Sequence, residues 1–327
     1  MKVTRTLAGA LALAWAGLTA AAPAQAEDIV VTHYGSLMYG APYAVAMEKG
    51  YFQEAGVDVT GILTSKGGGT SVRNMMAGET PFAEVALPAA ISAIKEGFPI
   101  RIVMMGTSGS SAHLVTRPGE KLESVEDLKG KRLVFSRPKS VSEAIFLGIL
   151  DNAGLTPDDV EMVAIGGFSA GLTALEHDEV DVAIIPEPIF TRKRQDGTSY
   201  QQLAWMNELI PYSASTVGIV TDEMLAARPE DVRAIIAARA RAVQFIYDEP
   251  QEAAELIAKA YGMETETIAT AISNIREMTP EWWKPGAFDY AAMDGMAKMM
   301  AAVGLVELPL DWADYVDESL LDGKAIQ

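Results

Sequence analysis

From Ile29 to Ile185, short apolar runs suited to β-strands alternate with stretches patterned for helices, and this alternation limits the fold more than any other feature. The strand-like runs are Ile29 to Thr32, Val57 to Leu63, Phe82 to Val85, Ile100 to Met105, Leu133 to Ser136, Met162 to Ile165 and Val182 to Ile185. Strands joined through helices pair in parallel, because each helix carries the chain back to the same end of the sheet, and both sheet faces become covered. The expected class is α/β, with parallel sheets flanked by helices. After Thr221 the pattern turns almost wholly helical: Pro229 to Asp248, Gln251 to Tyr261 closed by Gly262, Glu266 to Met278, and Asp289 to Val303 closed by Gly304. Met293, Met296, Met299 and Met300 recur at helical spacing and read as core filling, as does the Trp282-Trp283 pair. Ser124 with Asp127, and Thr156 with Asp158 and Asp159 behind Pro157, read as helix-start caps.

Length and ends bound the organisation. Lys2 and Arg5 precede an apolar run from Leu7 to Ala22, and Ala24-Gln25-Ala26 supplies the small residues of a cleavage site, so residues 1–26 read as a signal peptide. About 300 residues then remain, more than one hydrophobic core usually organises, which favours two lobes. No later segment reaches about 18 uninterrupted apolar residues, so membrane insertion is not expected. Cysteine is absent, which removes disulfides, thiolate metal sites and a lipid-carrying cleavage residue. The expectation is an exported protein free in the periplasm. The formal charge of −18 argues against nucleic acid as a partner, yet leaves an anionic small molecule possible, because a cleft sets its own local field.

In Pro42-Tyr43-Ala44-Val45-Ala46-Met47-Glu48-Lys49-Gly50, a proline stands where a helix can begin and a glycine where it can end, leaving Val57 and Val59 to restart as a buried strand. This stretch resembles the first helix and second strand of periplasmic solute-binding proteins of the nitrate, sulfonate and taurine import family. Gly67-Gly68-Gly69, followed by Met76-Ala77-Gly78-Glu79-Thr80-Pro81-Phe82-Ala83, is similar to the family's glycine loop and "AAGE-x-D-F-A" turn, with Pro81 where the family has Asp. Leu122 to Val134 and Asn152 to Val160 match further family segments, and the resemblance runs from about Ile29 to Ala260. Thiamine-pyrimidine synthases share the superfamily, but their cysteine-rich signature is missing. The resemblance implies a two-lobed periplasmic binding protein of type II that is a monomer without cofactor or metal, takes up a small-molecule solute, and works with an ABC permease and its ATPase subunits. The first lobe is expected over residues 27–113, the second over 114–212, and the return to the first lobe with the C-terminal helices over 213–327.

In parallel sheets ligands gather at the carboxyl ends of strands, where loops feed helix N-termini. Five glycine- or serine-rich loops stand there: Gly35 to Gly40, Ser65 to Thr70, Gly106 to Ser111, Lys139 to Ser142 and Gly166 to Ser169. The expected ligand contacts are Ser36, Leu37, Met38, Tyr39, Gly68, Gly69, Thr70, Thr107, Ser108, Ser140, Val141, Ser142, Gly167, Phe168 and Glu187. Glycine lets backbone N–H groups approach a ligand, hydroxyls add donors, and a helix start contributes about half a positive charge. Each hydrogen bond to a charged group is worth roughly 1.5–3 kcal/mol, so three to five approach the ~8 kcal/mol of micromolar binding before ordering costs. Lys66, Arg73, Arg137 and Lys139 are candidates to pair with an anion, and Glu187, framed by Pro186 and Pro188, to accept from an amine or hydroxyl. Tyr34, Tyr39, Phe168 and Phe190 are candidate cleft walls.

A small organic acid or sulfonate is the first expectation for the ligand, and a heteroaromatic compound such as a thiamine-precursor pyrimidine or a riboflavin-like molecule the alternative. A periplasmic hydrolase is the alternative of another class. Gly167-Phe168-Ser169-Ala170-Gly171 fits G-x-S-x-G, but the only histidine after it is His177, expected on the same helix. His33, His113 and His177 are too scattered for a zinc set and read as surface or loop residues, and Gly67 to Ser71 lacks the ending of a P-loop. The hydroxyls of Ser140 and Ser142 are expected to serve the ligand, so that removing both weakens binding with little effect on melting.

Overall fold

The computed structural model describes residues 27–78, 82–136 and 140–321. The expected signal peptide, Pro81, Arg137 and Lys139 lie outside the described residues. The chain begins with β1 (Glu27–Thr32), α1 (Ala41–Glu48), α2 (Tyr51–Glu54), β2 (Val59–Ser65), α3 (Gly68–Gly78), β3 (Ala83–Ala86), α4 (Leu87–Lys95) and β4 (Ile100–Ser108). Pro42 lies in the first turn of α1, and Gly50 takes φ +73°, a left-handed conformation that favours glycine and ends the helix. The turn expected between helix and strand contains the short α2, packed through Tyr51 and Phe52, so β2 begins at Val59.

The chain next forms β5 (Ala112–Thr116), β6 (Arg132–Phe135), α5 (Val141–Asn152), β7 (Glu161–Ala164), α6 (Phe168–Glu176), β8 (Ala183–Pro186), α7 (Ile189–Gln195), β9 (Gln201–Gln202) and α8 (Ala204–Asn207). It returns as β10 (Ala214–Thr221) and ends in α9 (Asp222–Ala227), α10 (Pro229–Asp248), α11 (Pro250–Tyr261), α12 (Thr265–Met278) and α13 (Tyr290–Ala302). The expected caps are present: Ser124 with Asp127 and Thr156 with Asp159 each close a capping box at the start of a short 3-10 turn.

The first sheet has the order β2-β1-β3-β10-β4. It is mixed rather than all parallel, because β10 runs antiparallel to both β3 and β4. The reason is connectivity. β4 leaves the sheet at Ser108, and β10 comes back beside it with Ala214 paired to Ser108, so the returning strand must run the opposite way. The second sheet repeats the arrangement: β6 and β7 are parallel, β8 lies beside β6 through a Leu133–Val182 bridge, and β5 runs antiparallel to β8 and β9. Here β5 is the arriving strand. The expected boundary after His113 falls inside β5, and the chain crosses between the sheets over residues 109–111 and again just before Ala214.

Alternation of side chains builds a core on each face of each sheet. In β1, Ile29 and Val31 pack with α1, α10, α11 and α12, whereas Val30 packs with α3, α4 and α13. In β6, Leu133 and Phe135 join the core beneath α5 and α8, and Val134 joins that beneath α6 and α7. Met293, Met296, Met299 and Met300 are buried in the α13 interface, and Trp282 and Trp283 are buried beside α12.

A buried ion pair crosses the first core. Glu84 of β3 and Arg239 of α10 are 1% and 0% exposed, so each charge relies on its protein partners in place of water. The Glu84 carboxylate accepts from Arg239 Nε at 2.9 Å, Tyr43 Oη at 2.7 Å and Thr216 Oγ1 at 2.6 Å. The remaining guanidinium donors reach the carbonyls of Lys284 at 2.5 Å and Gly106 at 2.8 Å. Gly106 leaves the space this needs, since a Cβ there would stand 2.5 Å from Glu84 Oε1. Burial and the adjacent carboxylate push the Tyr43 hydroxyl well above its usual pKa, so it remains a donor. Removing one partner of such a pair strands a charge, and Arg239→Met is expected to lower the unfolding free energy by about 3–5 kcal/mol in urea titrations; a loss below about 1 kcal/mol would show that the pair is not a principal tie.

Candidate functional site

Strand direction locates the site. β4 ends at the crossing, and β1, β2 and β3 run parallel to it, so the carboxyl edge of the first sheet faces the crossing. β5 starts at the crossing and is antiparallel to β8, with β6 and β7 aligned to β8, so the carboxyl edge of the second sheet faces it too. Helices α3 and α4 begin on the first of these edges and α5 and α6 on the second. The starts of α4 and α6 carry no side-chain cap, so their first-turn N–H donors, Pro88 of α4 excepted, and their positive dipole ends lie at these edges.

On the first edge the expected residues divide. Ser36 is exposed and donates to His33 O at 2.9 Å. Leu37 and Met38 are buried; their carbonyls accept from Tyr261 Oη at 3.1 Å and Trp283 Nε1 at 2.9 Å, so their side chains belong to the core. Tyr39 is half-buried, with its ring tilted against Trp282 at 5.3 Å between centroids. Burial and the nearby Glu84 push its hydroxyl up to about 12, which keeps it a neutral donor. Gly68, Gly69 and Thr70 form the first turn of α3. Gly68 is small for packing, because a Cβ there would stand 2.4 Å from Ala89 Cβ in α4. Thr70 accepts from Arg73 at 3.2 Å, and beneath them Thr32, Ser71 and Ser65 share a buried chain of hydroxyls. Thr107 and Ser108 sit within β4 rather than a loop; both are fully buried and bond Thr216 Oγ1 at 2.8 Å and Tyr212 Oη at 3.1 Å. Lys66 and Arg73 are exposed at the start of α3, and neither has an ion-pair partner among the described residues.

On the second edge Ser140 caps α5 by accepting from Glu143 N at 3.2 Å, and Ser142 Oγ accepts from Ser136 N at 3.0 Å. The two hydroxyls are 3.1 Å apart. They therefore have structural duties, and the expectation that removing them has little effect on melting is revised: loss of the Ser140 cap costs about 0.5–2 kcal/mol, and loss of Ser142 Oγ takes the acceptor from Ser136 N. Val141 is the first residue of α5, Gly167 is the N-cap of α6, and Phe168 packs partly into the second core.

Glu187 departs most from expectation. It is fully buried and lines no open space. Oε1 accepts from His113 Nε2 at 2.9 Å and Asn274 Nδ2 at 2.6 Å, and Oε2 accepts from Thr191 N at 3.3 Å. Gln202 Nε2 donates to His113 Nδ1 at 2.9 Å, so the ring turns its Nε2–H to Glu187. His113 is thus a buried residue, not a surface one, and Phe190 is stacked on its ring at 3.9 Å instead of walling a cleft. Asn274 belongs to α12, packed on the first sheet, so this cluster ties the two lobes together; Thr267 of α12 adds a bond to Gln195 of α7 at 2.5 Å.

The family described as NMT1/THI5 like matches residues 38–253. The chain belongs to that family. A curated relative from Brucella abortus (strain 2308), described as a binding protein, is 27% identical over 83% of this chain and 84% of its own. The periplasmic aliphatic sulphonate binding protein SsuA from Escherichia coli superposes with a TM-score of 0.71 over 92% of this chain and 95% of its own, at 15% identity. The desulfurization enzyme DSZB superposes with a TM-score of 0.63 over 90% and 97%, at 14% identity. These likenesses establish the two-lobed periplasmic-binding-protein fold. An enzyme stands among the neighbours, so the fold by itself does not separate binding from catalysis.

For this NMT1/THI5-like chain, the G-x-S-x-G segment does not bring Ser169 to His177. Ser169 is in the first turn of α6 and His177 is its C-cap, roughly 12 Å along the axis at 1.5 Å per residue. The His177 ring bonds Thr173 O at 2.7 Å. Among the described residues no group of three His, Asp or Glu is placed to hold a metal. A shallow hollow of about 510 Å³ between Arg117, Glu176, Lys193 and Tyr200 opens at the far edge of the second sheet, where Glu176 is already bonded to Lys193 and Tyr200. Two residues on the facing edge were not anticipated. His33, directly after β1, takes φ +58°, is half-buried, and its ring has no hydrogen-bond partner among the described residues; burial lowers its pKa and favours the neutral ring. Trp282 is the other. Glu187→Gln is expected to lower the stability of the ligand-free protein by about 1–3 kcal/mol, since an amide nitrogen would face another donor, while ligand affinity changes less than twofold; a tenfold loss of affinity at unchanged melting would put Glu187 back at the ligand.

Proposed function

We propose that this protein is the solute-binding component of an ABC importer, free in the periplasm as a monomer after loss of residues 1–26, and that it holds a small organic acid or sulfonate between its lobes. One observation carries the reading: the carboxyl edges of both sheets, with the starts of α3, α4, α5 and α6, face the same double crossing. A solute held there touches one set of amides in the open protein and both sets when the lobes close. Closure is favoured only by that difference in contact, which a permease then reads. No bond is made or broken.

Charge placement ranks the ligands. Lys66 and Arg73, beside the start of α3, have no ion-pair partner among the described residues, in a protein whose net charge is −18. The acid that would have suited an amine-bearing pyrimidine, Glu187, has both oxygens engaged. Both facts favour an anionic solute over the heteroaromatic alternative. A hydrolase remains the contrasting reading, and it is disfavoured by the placing of His177 at the opposite end of α6 from Ser169.

A thermal-shift screen over alkanesulfonates, aromatic carboxylates and pyrimidines tests the proposal. A true ligand at about 100 times its Kd adds about 2.7 kcal/mol, which raises the melting temperature by roughly 4 °C for a chain of this size. The expected result is a saturable rise with a sulfonate or carboxylate, the compound recovered intact. Release of product would move the assignment to an enzyme, and a rise with pyrimidines alone would overturn the anionic class.

A further inference from the structure

Trp282 is 1% exposed, and its indole N–H has no hydrogen-bond partner among the described residues. An indole nitrogen can only donate, and a buried donor left unpaired costs about 1–3 kcal/mol. Such a group is uncommon in a well-packed core and needs a reason. Its neighbour Trp283 shows how the same side chain is ordinarily accommodated: 0% exposed, it donates to Met38 O at 2.9 Å.

The position of Trp282 suggests the reason. Its carbonyl accepts from Ser108 N at 3.0 Å, at the last residue of β4, which places it at the carboxyl edge of the first sheet beside the crossing. Its ring is covered by Tyr39, on the short turn that follows β1, with the centroids 5.3 Å apart and the planes inclined by 32°. Tyr39 is only half-buried, and its hydroxyl also has no hydrogen-bond partner among the described residues. Two rings in contact at the edge that faces the gap thus each carry a donor without an acceptor among the described residues. The sequence pattern reads the Trp282-Trp283 pair as packing, and for Trp283 that is the whole account.

We infer that Trp282 Nε1–H, together with the Tyr39 hydroxyl, is a ligand-reading pair that takes an ionised oxygen of the solute, a sulfonate or carboxylate, when the Tyr39 ring swings off the indole. The inference rests on reading the gap as the solute site. It deepens that reading by naming side-chain donors on the first lobe and by requiring an oxygen that carries no proton of its own. A solute presenting an ammonium to this point finds no acceptor in the indole, so the discrimination falls on Trp282, the Tyr39 hydroxyl being able to accept as well as donate.

The test replaces Trp282 with its benzothiophene analogue, which keeps the ring shape and removes only the N–H, with Trp282→Phe as a second variant. Affinities for butanesulfonate and benzoate are measured by calorimetry, and the indole N–H resonance of the wild type is followed by NMR. The expected result is a 10- to 100-fold loss of affinity in the analogue, an unchanged or higher melting temperature without ligand, and a downfield move of the Trp282 N–H when ligand is added to the wild type. Equal binding by the analogue, or an unmoved resonance on saturation, overturns the role of Trp282 while leaving the transport reading in place. A drop in melting of the ligand-free analogue overturns it as well, since the N–H would then serve the fold. Failure of the wild type to bind either probe overturns the anionic-solute reading and this inference with it.

Discussion

A carboxylate and a guanidinium sealed away from water hold the first lobe in register. Glu84 reaches from the central strand β3, Arg239 from the long helix α10, and their other bonds gather α1, β4, β10 and the segment carrying Lys284 around one charge pair. An apolar filling of the same volume could be as stable. What the pair adds is alignment, because its directional bonds are satisfied in one arrangement of those elements. β4 and β10 are also the strands through which the chain leaves and rejoins this lobe. The stem of the crossing is therefore anchored to the best-protected part of the core, and the site is built on a fixed edge.

The double crossing has a second consequence that appears in both sheets. Each lobe contains one strand running against its neighbours, β10 in the first and β5 in the second, and each is the strand by which the chain arrives from the other lobe. A chain that comes in at the carboxyl edge can only run away from it. The same constraint turns both carboxyl edges toward each other, so the strand that breaks the parallel pattern and the formation of a shared gap have one cause.

Local signals made much of this legible in the sequence. Pro229, Gly262 and Gly304 mark helix limits through backbone preferences that act within a turn, and α10, α11 and α13 follow them closely. The direction of β10 was not legible, because pairing depends on partners over a hundred residues away. Glu84 was hidden inside an apolar strand run, where a single acid looks like an outward-facing residue until its partner, 155 positions on, is known. Glu187 stood out between two prolines, yet His113 and Asn274, 74 and 87 positions away, decide that it is committed to the protein and closed to solute. Trp282 read as packing because an orphaned donor is a property of three-dimensional surroundings, which residue type does not announce.

The Asn274 amide, reaching from α12 to Glu187 and Thr191, gives lobe motion an energetic threshold. Any movement that parts α12 from α7 must break a bond to a buried carboxylate, worth about 1.5–3 kcal/mol, before new contacts compensate. The clasp therefore resists parting of the lobes on that side whichever solute stands in the gap, and a movement that keeps α12 on α7 leaves it intact.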